Sequence, residues 1–264
     1  MKRILISSFL AALFPLALAA AEATTKPVFL YSRYYNAVGE KRYQPDGSFK
    51  DVMARARDEF EVRVNDVAPS AASLAGVNVL MIVNPSDKAA GTNAVPPHVS
   101  AQDVATLVKF VEQGGGLIIM GNQENHNFET AALNKLLARF GLQFVEKYTD
   151  VKKIAVPKGT PIIGGLNLGY YTGNQIIIES GHPAKPRSLI DNDVTVKPMN
   201  GPRNEPGCLL AVAELGRGRV VLVTDSGWVT NDALSEKGIG GNAVKGHDNW
   251  EIMRRLSRWA AGAK

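Results

Sequence analysis

Two continuous apolar runs, "VNVLMIVNPS" at 77–86 and "GLIIMG" at 116–121, constrain this chain more than any other feature. Runs without alternating polar positions are buried on both faces, as in a parallel sheet covered by helices on each side. The segment between them fits. Ser100 and Asp103 have the spacing of a capping box, "VATLVKFVEQ" carries a helical apolar stripe, and Gly114 stops it. The same alternation holds upstream. A first strand covers Val28 to about Arg33, and Ser48 with Asp51 caps a helix whose apolar face is Phe49, Val52, Met53, Ala56 and Phe60. "EVRVNDV" alternates as a second strand, and "FETAALNKLLARFG" predicts a helix ending at Gly141.

From about Val151 to Pro206 the pattern changes to short runs ("KIAVP", "QIIIES", "VTVKP") among frequent Pro and Gly, which predicts an antiparallel, loop-rich insertion. "CLLAVAEL", the turn Gly216-Arg217-Gly218 and "RVVLVTDSG" then form a hairpin. A last helix starts at Asp248, with Glu251 as its box partner. The expected fold is a flavodoxin-like three-layer α/β sandwich with a mainly parallel central sheet and an added antiparallel region.

The chain opens with Lys2-Arg3 and an apolar stretch ending in small residues, the pattern of a secretory signal peptide over 1–23, cleaved after Ala19, Ala21 or Ala23. Pro15 and the shortness of the run argue against a membrane anchor. Residues 24–264 are expected to form one domain, periplasmic or secreted. A single cysteine, Cys208, excludes an internal disulfide and a cysteine-based zinc site, so the fold rests on its core. The formal net charge is only +5, and Lys2 and Arg3 leave with the leader. Without a basic stripe, nucleic acid is not an expected partner.

Ligands of open parallel sheets bind outside the carboxyl ends of the strands. Those ends hold Arg33, Tyr34 and Tyr35, then Asn84 to Asp87, then Asn122 to His126, then Asp225 to Trp228. Glu124, His126 and Asp225 carry acid–base chemistry if the protein is an enzyme, and a Glu124–Asp225 approach would raise one pKa. Arg33, Tyr34, Asn122, Gln123, Ser226, Trp228, Asn231 and His247 are the ligand-binding candidates. The bland alternative is a polar turn in which Asn127 caps the next helix and Asp225 caps its own turn. Glu124, His126, Asp225 and His247 offer metal-ligand chemistry without a local spacing such as His-x-x-x-His, so no metal and no cofactor is assigned. No Gly-x-Ser-x-Gly elbow exists, and Cys208 reads as a buried small hydrophobe.

The stretches "VEQGGGLIIMGN", "GRGRVVLVTDSGWVTND" and "DNWEIMRRLSRWAAG", in this order of elements, resemble the class I glutamine amidotransferase-like superfamily. The branch is that of bacterial domains related to gliding-motility transporter accessory and intraflagellar-transport domains. The specific part of the resemblance covers about residues 104–127 and 216–232. It implies that the turn after Leu117–Gly121 is where relatives carry a cysteine nucleophile. Here that turn reads Gly121-Asn122-Gln123, and an amide cannot form the thioester, so glutaminase activity is expected to be absent. The resemblance implies a retained cleft around Asn122, Glu124, His126 and Asp225. The expected function is binding of a carbohydrate or cell-envelope component at that edge. The alternatives are a glycan hydrolase using Glu124 or Asp225 with His126, and a protein-interaction module.

Overall fold

A computed structural model describes residues 25–36, 41–89, 94–123 and 126–262. The leader and Glu124 lie outside the described residues. Chain order runs β1 (Val28–Ser32), α1 (Lys50–Ala56), β2 (Glu61–Asn65), β3 (Val77–Val83), α2 (Ala101–Glu112), β4 (Gly116–Met120) and α3 (Ala131–Leu137). It continues with β5 (Leu142–Thr149), β6 (Lys152–Ala155), β7 (Asn167–Tyr170), β8 (Gly173–Ile178), β9 (Arg187–Asp191), β10 (Cys208–Leu215), β11 (Gly218–Val223), α4 (Asn231–Leu234) and α5 (Asn249–Ala260).

The main sheet has the order β2-β1-β3-β4-β11-β10-β8-β5, with β9 also on β10. The stretch from β2 to β11 is parallel, and β10, β8, β9 and β5 pair antiparallel. Its parallel part therefore has the doubly wound order 2-1-3-4-5, with β11 in the fifth place, and the order reverses between β1 and β3. One face packs on α1 and α5 through Val52, Met53, Ile252 and Leu256. The other packs on α2 and α3 through Leu107, Val111, Leu133 and Leu137. The expected three-layer α/β sandwich is present.

The continuous apolar runs are indeed central. Leu80, Met81, Ile82, Leu117, Ile118 and Ile119 are buried. The Ser100 box forms: its hydroxyl accepts from Asp103 N at 3.1 Å, and Asp103 Oδ2 accepts from Ser100 N at 2.9 Å. The other two boxes do not. At α1, Ser48 Oγ donates to the Arg42 carbonyl, and the helix is capped by Asn231 Oδ1, which accepts from Asp51 N at 2.9 Å. At α5, Asp248 Oδ2 accepts from Asn167 N at 2.7 Å, while Glu251 binds Arg254 and Arg255. Asp248 ties the helix start to β7 rather than capping it.

The antiparallel region begins at Leu142, earlier than the change in composition at Val151. Gly141, at φ 67, turns the chain from the 3-10 end of α3 straight into β5. That left-handed φ suits glycine.

Candidate functional site

The carboxyl edge of the parallel strands is built from tight strand-to-strand ties. Asn84 N donates to Met120 O at 2.8 Å, and Gly121 N donates to Val223 O at 2.7 Å, so β3, β4 and β11 end level. Ser226 Oγ donates to Gly121 O at 2.6 Å across the same edge. Asn84 and Asn127 take left-handed φ of 43° and 57°, a geometry asparagine tolerates. Asn127 does not cap the next helix. Glu129 does, accepting from Ala132 N at 2.7 Å and Leu133 N at 3.1 Å.

Beyond β4, Asn122 is buried, donates to Tyr43 Oη at 2.6 Å and accepts from Gln123 N at 2.9 Å. His126 Nδ1 lies 2.7 Å from Arg42 Nη1 and 3.5 Å from Tyr43 Oη. A guanidinium can only donate, so Nδ1 is the acceptor and the ring proton sits on Nε2. Arg42 also stands over the Tyr43 ring, 5.3 Å from its centroid. Tyr43 is fixed in turn, its carbonyl accepting from Tyr31 Oη and from Asn36 Nδ2. Arg42 and Tyr43 were not among the sequence candidates. They lie in the polar loop after β1, whose "KRYQ" is indistinguishable by composition from a solvated turn.

The β1 end of the edge opens into a groove of about 690 Å³, lined by Arg33, Tyr34, Asn36, Gln44, Asp46, Asp66 and the 94–97 segment. Arg33 Nε and Nη2 hold Asp66 in a two-point contact at 2.5 and 2.6 Å. Tyr34 packs edge-on against Tyr35 with centroids 5.0 Å apart.

The remaining candidates are placed elsewhere. Asp225 is 1% exposed, and its carboxylate accepts from Tyr171 N at 2.7 Å and Gly227 N at 2.5 Å. It faces the β7–β8 turn, not the turn after β4. Burial pushes its carboxyl up to about 7, against the pull of the backbone N–H donors of Tyr171, Gly227, Thr172 and Trp228. Trp228 is fully buried, its carbonyl accepting from Asn249 Nδ2 at 2.6 Å. Asn231 clamps the start of α1 through Asp51 N and the Gly47 carbonyl. His247 has both ring nitrogens engaged, Nε2 with Ala233 O at 2.9 Å and Nδ1 with Asn249 N at 3.3 Å. Ser226, Trp228, Asn231 and His247, expected to bind a ligand, thus have their polar atoms or their bulk engaged inside the fold. The Asp225 oxygens are likewise taken up by the backbone N–H groups of Tyr171 and Gly227. Burial pushes the Cys208 thiol up to about 12, in keeping with its reading as a small hydrophobe.

Arg33 and Tyr34 line the groove, and Asn122, Gln123 and His126 gather at the β4 turn. The two groups are linked through the segment carrying Arg42 and Tyr43. Among the described residues, no group of three His, Cys, Asp or Glu side chains is placed to hold a metal.

The family model described as "Domain of unknown function (DUF4350)" matches residues 47–244. A comparison with curated proteins finds no match. Among solved structures, the mmIFT52 N-terminal domain is similar at a TM-score of 0.66 and 15% identity, over 88% of this chain and 97% of that one. A putative ThuA-like protein from Bacteroides uniformis matches at TM-score 0.56 and 10% identity, over 92% and 94%. A β-galactosidase from Bacillus circulans sp. alkalophilus matches at 0.51 and 13%, over 90% of this chain and 31% of that one. At these identities the likeness is one of fold. The intraflagellar-transport side of the sequence resemblance has a structural counterpart in the first of them.

Proposed function

The chain belongs to the DUF4350 family, a domain of unknown function, and from that premise we propose that it is an exported, amidotransferase-like binding domain without glutaminase activity. Its ligand is a neutral, ring-bearing polyol of carbohydrate or cell-envelope type, held in the groove at the carboxyl edge. The observation that carries this reading is the groove itself, at the β1 end where the strand order reverses. Its guanidinium is already neutralised by Asp66, which removes the draw for an anion. Tyr34 and Pro97 supply apolar surface, and Asp46 with the Arg33–Asp66 pair supplies polar edges. A sugar presents that same mixture of apolar faces and hydroxyls.

Support for a binding role over turnover comes from the β4 turn. Gly121-Asn122-Gln123 offers no nucleophile, His126 Nδ1 is held by Arg42, and the Asp225 carboxyl is buried on backbone N–H groups.

Calorimetric titration of the leaderless protein with neutral oligosaccharides is expected to show binding without product release. Tyr34→Ala should weaken it about tenfold, the value of one aromatic contact of roughly 1.4 kcal/mol, with a folded circular dichroism spectrum and a modest fall in melting temperature from the lost Tyr35 contact. Equal affinity in wild type and variant, or no binding by any neutral sugar, removes the reading. Export is tested by fractionating cells and sequencing the amino terminus of the chain. The expected first residue follows Ala19, Ala21 or Ala23, and an uncleaved cytoplasmic chain refutes it.

A further inference from the structure

We propose that β2 is a self-association edge, joining two copies of this chain into a continuous sheet with their β2 strands antiparallel. Among the described residues, β2 ends the main sheet and pairs only with β1. Glu61 N donates to Pro27 O and Asn65 O accepts from Arg33 N, so the backbone groups of Glu61, Arg63 and Asn65 turn inward to β1. Strand alternation then points those of Val62 and Val64 outward. The edge is open: Glu61 and Arg63 are exposed, and Val64 is 42% exposed.

The occupant is set by charge and register. A two-fold partner must run antiparallel and present the same residues. Outward backbone groups have to meet outward ones, which allows Val62 opposite Val62, Val62 opposite Val64, or Val64 opposite Val64. The second of these stacks Arg63 on Arg63 of the other copy, a like-charge contact that opposes pairing. The third leaves Glu61 and Arg63 without opposite charges across the joint. The first sets Glu61 of each copy against Arg63 of the other, twice by symmetry, with Val62 on Val62 on the opposite face. Within one chain Glu61 and Arg63 already touch at 2.7 Å, with side chains 54% and 48% exposed. Such an exposed pair is worth little by itself and can re-pair across the joint. Because the strands run antiparallel, the two carboxyl edges point in opposite directions.

The opposing account is that these charges guard the edge against pairing. Sedimentation equilibrium of the purified protein, from micromolar to millimolar concentration, separates the two. The expected result is a monomer–dimer equilibrium that weakens with salt. Arg63→Glu and Glu61→Arg are each expected to raise the dissociation constant about tenfold or more, and the double swap to restore it. Val62→Pro removes an outward N–H that the fold does not use. It is expected to abolish the dimer while circular dichroism stays that of the parent. A monomer at every concentration, or a dimer indifferent to the charge swaps, overturns the proposal.

Discussion

Replacing Lys152 by methionine is expected to lower the free energy of unfolding by about 3–5 kcal/mol, read from urea denaturation. Lys152 opens β6 with no exposed surface, and its ammonium donates to Asn192 Oδ1, the Asp193 carbonyl and Asn204 Oδ1 at 2.9, 2.8 and 2.7 Å. An ammonium has three N–H donors, and here each meets a neutral oxygen. Burial pushes the group below its ordinary range, with the Asp193 carboxylate pulling it back. The acceptors are themselves tied. Asn192 Nδ2 donates to Thr149 Oγ1 and Glu205 O, and Asn204 Nδ2 to the carbonyls of Val194 and Val196. Lys152 therefore joins the β5–β6 turn to the loop between β9 and β10. Methionine has similar length but removes all three charge-assisted bonds, each worth about 1.5–3 kcal/mol, and leaves Asn192 Oδ1 without a donor, while Asn204 Oδ1 keeps Asn192 Nδ2 and the Asp193 carbonyl keeps Val196 N. A loss below about 1 kcal/mol would show that water replaces the ammonium freely. Faster amide exchange confined to the loop between β9 and β10 would instead locate the damage in that segment.

That lysine shows where sequence reading ends. "Lys152-Lys153" reads as a scattered basic pair, yet strand alternation buries the first and exposes the second. The parallel core was legible because Val79–Val83 and Gly116–Met120 are apolar and buried in every residue. The Ser100 cap was legible because both partners lie within four residues. The α1 cap was not, since its acceptor, Asn231, is 180 residues away from Asp51. β5 was missed because Glu146, Lys147 and a shift in register between Val145 and Thr149 break its alternation. At the site, strand ends pointed to Arg33 and Tyr34, which line the groove, and to Asn122 at the β4 turn. They could not say which polar residues turn inward, and so Ser226, Trp228, Asn231 and His247 were grouped with them. Arg42 and Tyr43 escaped because nothing local marks a loop that folds back over the next strand end.

Asp225 gives the second large effect, and it separates a perturbed carboxyl from a catalytic one. A buried carboxylate with a raised pKa matches the signature of an active-site acid, but here the group is 1% exposed and both oxygens face backbone N–H groups. The shift belongs to folding. The folded-state value, about 7, lies above the ordinary 3.8, so the native state holds a proton that the unfolded chain has lost. Stability from this group is therefore complete below about pH 4 and declines as pH rises towards 7, by about 1.4 kcal/mol per unit. Asp225→Asn cannot titrate and lacks that slope. Its amide nitrogen also meets N–H donors where the carboxyl offered an acceptor, so it is less stable than the parent at pH 5. Between pH 5 and pH 8 the gap between parent and variant is expected to shrink by about 2–3 kcal/mol in paired urea titrations. A gap that stays constant over this range would mean that the backbone donors outweigh burial and the carboxylate is charged throughout. In either case the carboxyl group is buried with both oxygens on backbone N–H groups, and a hydrolase built on this chain would have to find its acid elsewhere.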